Sequence, residues 1–537
     1  MNSHANRYFV GVDVGTGSAR AGVFDVHGQL LAQAKRDIDL YQSGPDIAEQ
    51  SSENIWAAVC AATREAVARV GLPPDAIAGI GFDATCSLVL VDLAGAPVTV
   101  SETGDPNRNI IVWMDHRATE QAARINRTGH TVLSYVGGAI SPEMETPKLL
   151  WLAEHMPQSF ARAAHFFDLT DYLTWRSTGS TARSVCTLTC KWTYLAHERR
   201  WDESYFREIG LGALADERFA RIGTEVVDTG APLGQGLTAA AAADLGLSPG
   251  TVVAAGLIDA HAGGIATVGV FPATGAIERT MAYVMGTSAC TMASSATPAF
   301  VPGVWGPYYS AMVPGLWLSE GGQSAAGAAI DQLIRHHPAY DEATRLAGGS
   351  GLSTIDWLTE QAGGGDLSSA VERASGLHVV PDFNGNRAPF ADPAARAIVS
   401  GLSLDRSVES LVALYVAGIL GLGYGLRRIL EAEAASGVTI DNVVVSGGAG
   451  RSALVQQLLA DATQTPVSTI ESPEPVLLGS AMLAATAAGA YADLAAAMQG
   501  MSRLKETRAP SAEARSVHEG RYRAYRILQE AERATRG

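Results

Sequence analysis

Phe9-Val-Gly-Val-Asp-Val-Gly-Thr-Gly-Ser-Ala-Arg-Ala-Gly-Val-Phe-Asp25 decides the fold. A buried-type strand runs into Asp13, then a turn of small residues, then a second strand. Such a turn leaves backbone N–H groups free to surround a phosphate, and a carboxylate beside them suits Mg²⁺ carried by that phosphate. Two common glycine motifs do not fit. A dinucleotide fold needs a third glycine and an immediate helix, but Arg20 stands where that glycine should be. A P-loop needs Gly-Lys-Ser/Thr, and no lysine follows Gly17. Beyond Gly17 the residues alternate, the chain turns again at Asp25-Val-His-Gly28, and Gln29-Leu-Leu-Ala32 is extended. The stretch reads as a three-strand meander. Gly and Asp are also default turn residues, so an ordinary glycine-rich hairpin remains open on this segment alone.

The chain has 537 residues, too many for one core, so two large domains are expected. Apolar residues make up 47%, and no apolar run in the sequence reaches the ~20 residues of a bilayer span. The N-terminus shows no signal-peptide apolar region, and the five scattered cysteines fit reduced thiols, so a cytoplasmic setting is expected. Cys186 and Cys190 have no second ligand pair nearby in sequence, so no metal is expected on them. A net charge of −16 argues against nucleic acid as a partner. It leaves a local Mg²⁺–ATP site open.

Residues 53–70 carry helical spacing closed by Gly71. Ile77–Asp83 and Leu88–Asp92 read as strands, and Ile110–Met114 leads into Asp115-His-Arg117 and a helix. A second cycle begins with a strand at Thr251–Ala255, then Gly256-Leu-Ile-Asp-Ala-His-Ala-Gly-Gly264. The strand from Met281 runs into Gly286-Thr-Ser288, a second phosphate-type turn. Asn442–Ser446 runs into Gly447-Gly-Ala-Gly450 and a helix, and residues 511–535 form a charged, surface-packed helix. Charged groups and glycine turns fall at strand ends, where α/β proteins bind ligands. Two similar α/β lobes with a nucleotide between them are implied.

In this order, Asp13-Val-Gly-Thr-Gly, Trp113-x-Asp115-x-Arg117-Ala, Pro147-Lys-Leu-Leu-Trp-Leu152, Gly256-Leu-Ile-Asp259-Ala-His-Ala-Gly, Gly286-Thr-Ser and Ser446-Gly-Gly-Ala-Gly make the chain resemble the FGGY carbohydrate kinases. Residues 301–324 and Cys190-Lys-Trp-Thr-Tyr194 resemble the D-ribulokinase and ribitol-kinase subgroup in particular. The resemblance implies an α/β fold of two actin-like (ribonuclease H-like) ATPase lobes around a central cleft. The lobes would span residues 1–268 and 269–537, the first with the sugar site and first phosphate loop, the second with the other phosphate loop and the adenosine pocket. It implies ATP and Mg²⁺, with transfer of a phosphoryl group to the terminal hydroxyl of a ketopentose, D-ribulose giving D-ribulose 5-phosphate.

The resemblance also assigns residues. Asp259 is the catalytic proton acceptor and touches substrate. Asp13 holds Mg²⁺. Gly15, Thr16, Gly17 and Ser18 face Gly286, Thr287 and Ser288 across the ATP phosphates, and Gly447, Gly448 and Ala449 line the adenosine pocket. Asp83, Ala84, Lys191, Glu320 and Gln323 join Asp259 around the sugar. The residue-level alternatives are a helix-capping role for Asp259, a surface lysine at 191 and a helix-start carboxylate at 320. Arg20 could serve structure or phosphate, Asp115 and Arg117 could pair or reach the cleft, and His261 is read as structural. Trp113, Trp192, Trp305 and Trp317 are read as core or pocket wall. L-ribulose, ribitol and xylulose are alternative substrates. A non-enzymatic ATPase module, like actin or the heat-shock chaperones, is the alternative of another class, and it would lack the sugar set. A sugar-responsive repressor would need a DNA-binding segment ahead of Phe9. The expected partner is a small sugar or polyol, with neither nucleic acid nor membrane, and a homodimer is the candidate assembly.

Overall fold

The computed structural model describes residues 7–271 and 275–536, the side chain of Ala449 excepted. The opening segment forms the expected meander of Tyr8–Val14, Ser18–Phe24 and Leu30–Asp37, antiparallel throughout. Tyr8–Val14 then pairs in parallel with Ile77–Ala84, which pairs in parallel with the short strand Val252–Val253. The second half repeats this order. Trp317–Gln323, Ala289–Ser295 and Thr280–Met285 run antiparallel, and Asn442–Gly447 and Val467–Ile470 continue in parallel. Each sheet is thus a meander extended by parallel strands, and the chain builds it twice.

The helix expected at 53–70 spans Ser52–Val70. Ser51 caps its start by accepting from the Asn54 N–H, and Gly71 ends it at φ 73°. The strand expected at 251–255 is shorter, because the chain breaks and pairs with Ile77–Ala84 again through Leu257–Ile258. The break falls at Gly256, where a Cβ would stand 2.3 Å from the Phe82 carbonyl oxygen. The C-terminal helix, Arg515–Thr535, does more than coat a surface. It buries His518, Tyr522 and Tyr525, and the Tyr424 hydroxyl lies 3.0 Å from His518 Nδ1.

Among the described residues one helix, Val408–Ala435, is apolar and long enough by composition to cross a membrane, although it holds no unbroken apolar run of ~20 residues. It is the central core helix of the second lobe, with Leu411, Tyr415, Leu420, Leu422 and Leu426 all buried. Two further helices join the lobes. Asp259–Val268 follows the first sheet's last strand and packs on Thr280–Met285 of the second sheet. Pro475–Ala487 comes late in the chain, yet packs on Tyr8–Val14 and Ile77–Ala84 of the first sheet, and crosses Asp259–Val268. The floor of the interlobe cleft is therefore made by helices that each touch the other lobe's sheet.

Candidate active site

Strand register brings the acidic residues together. Asp13 pairs with Asp83 across the parallel strands, and Leu257 pairs with Asp83 on its other side, so Asp259 emerges at the same sheet end. In the second sheet Met285 pairs with Gly447, so the turn after Met285 and the glycines after Ser446 also share an end. These two ends face one cleft of about 330 Å³.

The phosphate-type turns match in construction. Gly15 N–H donates to Ser18 O (3.0 Å), and Gly286 N–H donates to Ser288 O (2.9 Å). Among the described residues, nothing accepts from the N–H groups of Thr16, Gly17, Thr287 or Ser288. A Cβ built on Gly17 meets nothing within 4 Å, and on Gly15 or Gly286 only one carbonyl oxygen near that limit. The cradle is open, and its free donors suit an anion. Gly15, Thr16, Gly286, Thr287 and Ser288 line the cleft, whereas Gly17 is exposed at its edge and Ser18 is half-buried at the start of the next strand. Trp113 holds the first turn by donating its indole N–H to Thr16 Oγ1 (2.9 Å).

Asp13 and Asp259 line the cleft together with the turns. Asp259 is the first residue of its helix and accepts from the Ala260 N–H (2.7 Å), with Ile258 in the capping position. Burial, and then the nearby Asp13 charge, push the Asp259 carboxyl up to about 6. Arg20, opposite Asp13 in the hairpin, donates Nε–H to Asp13 Oδ2 (2.6 Å) and Nη1–H to Glu474 Oε2 (2.9 Å). It therefore ties the first turn to the start of Pro475–Ala487.

A divalent cation fits this donor set. Asp13 and Asp259 both line the cleft, and among the described residues Arg20 is the cation paired with Asp13 and none is paired with Asp259. Such a surplus of carboxylate is what Mg²⁺ is bound by, together with phosphate and water.

The sugar end differs in part from expectation. Lys191 and Glu320 line the cleft, at the end of the helix Val185–Lys191 and within Trp317–Gln323. Burial opposes charge on Lys191, but Cys86 and Glu320 raise its ammonium pKa well above the usual value. Asp83, Ala84 and Gln323 do not line the cleft. Asp83 is 0% exposed and accepts from Ser480 Oγ (2.5 Å), and burial with the neighbouring Asp13 holds its carboxyl well above the usual range. Ala84 is sealed in its strand, and the wall is made by Thr85 and Cys86 instead. Gln323 is spent on structure, accepting from Tyr283 Oη (2.6 Å) and donating to Leu422 O (3.0 Å).

Sequence reading missed Glu143 and Arg387, which line the cleft, whereas Trp305, read as core or pocket wall, lines it too. The Arg387 guanidinium lies over the Trp305 ring, 5.3 Å from its centroid, and Lys191 Nζ lies 5.6 Å from the same centroid. Of the other tryptophans, Trp113 joins the cleft wall, Trp192 is core, and Trp317 packs among Tyr135, His197 and Tyr309. Asp115 and Arg117 pair with each other (2.8 Å), are buried, and lie outside the cleft. His261 joins Cys186 and Cys190, their ligand atoms all within 4.8 Å of one another, a grouping that needed the fold to appear.

A second cavity of about 630 Å³ opens from Gly286 and is lined by Gly448, Ile330, Ile355, Tyr415 and Val455. Its apolar walls suit a flat base. Gly447 is not on its wall, and the Ala449 side chain lies outside the described residues.

Two family models match the chain. The N-terminal domain of the FGGY family of carbohydrate kinases matches residues 8–266, and its C-terminal domain matches residues 281–488. An FGGY carbohydrate kinase domain-containing protein of Homo sapiens is 44% identical over 536 residues, covering 98% of this chain and 96% of that protein. A D-ribulokinase of Saccharomyces cerevisiae is 38% identical over 514 residues, covering 90% of this chain and 72% of that protein. Among solved structures, a xylulose kinase from Rhodospirillum rubrum superimposes with a TM-score of 0.81 at 23% identity, covering 98% of this chain and 99% of that one. The fold is thus that of two actin-like ATPase lobes.

Proposed function

Since the chain belongs to the FGGY family of carbohydrate kinases and is a sugar kinase, we propose that its acceptor is a ketopentose, D-ribulose, converted at its terminal hydroxyl to D-ribulose 5-phosphate. Support comes from the likeness to the yeast D-ribulokinase. The observation that carries it is one cleft lined together by Asp259, Lys191, Glu320 and two open glycine turns. The family uses ATP, and we assign Mg²⁺ to Asp13. When bound, Mg²⁺ would neutralise phosphate charge. We divide the chain near residue 268 into the two lobes and place the enzyme in the cytoplasm, in keeping with its five free cysteines.

In this reading the free N–H groups of Thr16, Gly17, Thr287 and Ser288 grip the phosphates from both lobes. The second cavity takes the adenosine. Lys191 donates to, and Glu320 accepts from, sugar hydroxyls, which orients the terminal hydroxyl toward Asp259. The Asp259 carboxylate takes the hydroxyl proton as the oxygen bonds to the γ-phosphorus, and the bond from that phosphorus to the bridging oxygen breaks to release ADP. Closure of the lobes excludes water, the competing nucleophile.

An ADP-release assay across D-ribulose, L-ribulose, ribitol and D-xylulose tests the substrate. D-ribulose should give the highest kcat/KM, and faster turnover of another of the four would replace it. Lys191→Ala and Glu320→Ala should each raise the sugar KM by roughly tenfold or more, the scale of a hydrogen bond to a charged group, with the ATP KM little changed. An equal rise in both KM values would remove these residues from the sugar end. Asp259 must be ionised to act and its carboxyl is raised to about 6. The kcat/KM profile, which reports the free enzyme, should therefore fall as pH drops below about 6. A flat profile down to the ordinary carboxylate range would contradict this.

A further inference from the structure

Behind Glu320 lie two buried groups that the proposed chemistry does not use, Cys186 and His261, joined to it in one chain. His261 is fully buried on the helix Asp259–Val268. Its Nδ1 lies 3.2 Å from Cys186 Sγ, on Val185–Lys191, and its Nε2 lies 3.2 Å from Glu320 Oε2, on Trp317–Gln323. One imidazole therefore ties together the elements that carry Asp259, Lys191 and Glu320. Cys186 is itself anchored, since Sγ also accepts from the Ile258 N–H (3.5 Å).

The charges support one another. Burial opposes ionisation of all three groups. Even so, contact with Cys190 and His261 lowers the Cys186 thiol, Cys186 and Glu320 raise the imidazole, and His261 with Lys191 lowers the Glu320 carboxyl. Glu320 Oε1 has no hydrogen-bond partner among the described residues, and Glu320 lines the cleft. One carboxylate oxygen is held from behind and the other is left for a ligand.

We propose that His261 is a positioning residue for the sugar: with Cys186 fixing the imidazole at Nδ1, Nε2–H fixes Glu320 so that its free oxygen meets a substrate hydroxyl. This rests on the reading of the cleft as a pentulose site. A glutamate side chain has three rotatable bonds, and a donor on one oxygen selects the rotamer that presents the other. A histidine that served packing alone would affect both substrates alike through the stability of the lobe.

Steady-state kinetics with D-ribulose and ATP separate these roles. His261→Ala should raise the sugar KM about tenfold or more, the range of a hydrogen bond to a charged group, while the ATP KM stays within about twofold. His261→Gln keeps an N–H donor and should recover most of the loss. Cys186→Ala, a milder change in case His261→Ala fails to fold, should raise the sugar KM by a smaller factor. In a Glu320→Gln background, His261→Ala should add less than about twofold, because its effect runs through that carboxylate. Full multiplication of the two effects, or a parallel rise in the ATP KM, would overturn the proposal while leaving the sugar-kinase reading in place. Absence of turnover by the wild-type enzyme on every pentulose and pentitol tried would overturn both.

Discussion

Asp259→Asn is expected to cut the rate of phosphoryl transfer by about 10²- to 10⁴-fold, the usual contribution of a positioned general base, while ATP still binds. The substitution keeps the size of the side chain and removes its basicity. The other two carboxylates at this sheet end cannot take over. Asp83 is sealed, bonded to Ser480, and does not line the cleft. Asp13 is held by Arg20 on the hairpin side. A complete loss is not expected, because phosphoryl transfer depends mostly on positioning and charge neutralisation, which the glycine turns still supply. The acid fall in kcat/KM near pH 6 should vanish with the carboxyl that causes it. Calorimetric titration of the variant with ATP, beside an ADP-release assay, provides the check. Transfer within a few fold of wild type would remove Asp259 from the role of base.

Asp259 also gives a stability signature of known sign. Its folded pKa is raised from an ordinary carboxylate value to about 6. Between those values the native state holds a proton that the unfolded chain has lost, so this group's contribution to stability falls as pH rises through the window. Asp259→Asn should be less sensitive to pH there than the parent when thermal melting is followed without ligands.

What could be read from the sequence was local. The meander announced itself by alternation and turn residues, and the helix at Ser52–Val70 by its spacing and by Gly71. Asp13, Asp259 and the two phosphate turns were visible because strand ends and small-residue turns are written in consecutive residues. Asp83 looked the same in sequence, a carboxylate at a strand end. What hides it is Ser480, 397 residues away on a helix that packs over the first sheet. Gln323 likewise reads as a cleft residue until Tyr283 and Leu422 take up its amide. Arg387 carries no motif of its own and matters because its guanidinium lies over Trp305 beside Lys191. Each miss concerns a partner supplied by tertiary packing, which no window of neighbouring residues contains.

Gly479→Ala should cost stability heavily for a single added methyl, since it strikes the crossing of the two helices that floor the cleft. A Cβ at Gly479 would stand 2.0 Å from the Ala262 carbonyl oxygen. The methyl would be fixed to one helix and the carbonyl belongs to the backbone of the other, so no flexible side chain can move aside. Helix propensity argues the other way, favouring Ala over Gly by about 1 kcal/mol. Overpacking costs about 1–3 kcal/mol and sometimes more, and at this separation the steric term should win. The strain would push Pro475–Ala487 away from Asp259–Val268. The same helix rests on the first sheet where Gly11 and Gly81 each leave room for a carbonyl, Leu477 O and Ser480 O. Asp259 is the first residue of the displaced partner helix, so kcat should fall along with melting temperature. Gly520→Ala serves as the control. Gly520 is exposed in the helix Arg515–Thr535, and a Cβ there meets nothing within 4 Å. That change should stabilise by about 0.5–1 kcal/mol and leave kcat alone. Opposite signs at two helical glycines would show that close approach of the backbones, rather than propensity, requires glycine at 479. A Gly479→Ala protein that melts at or above the wild-type temperature would mean that the two helices do not cross this closely.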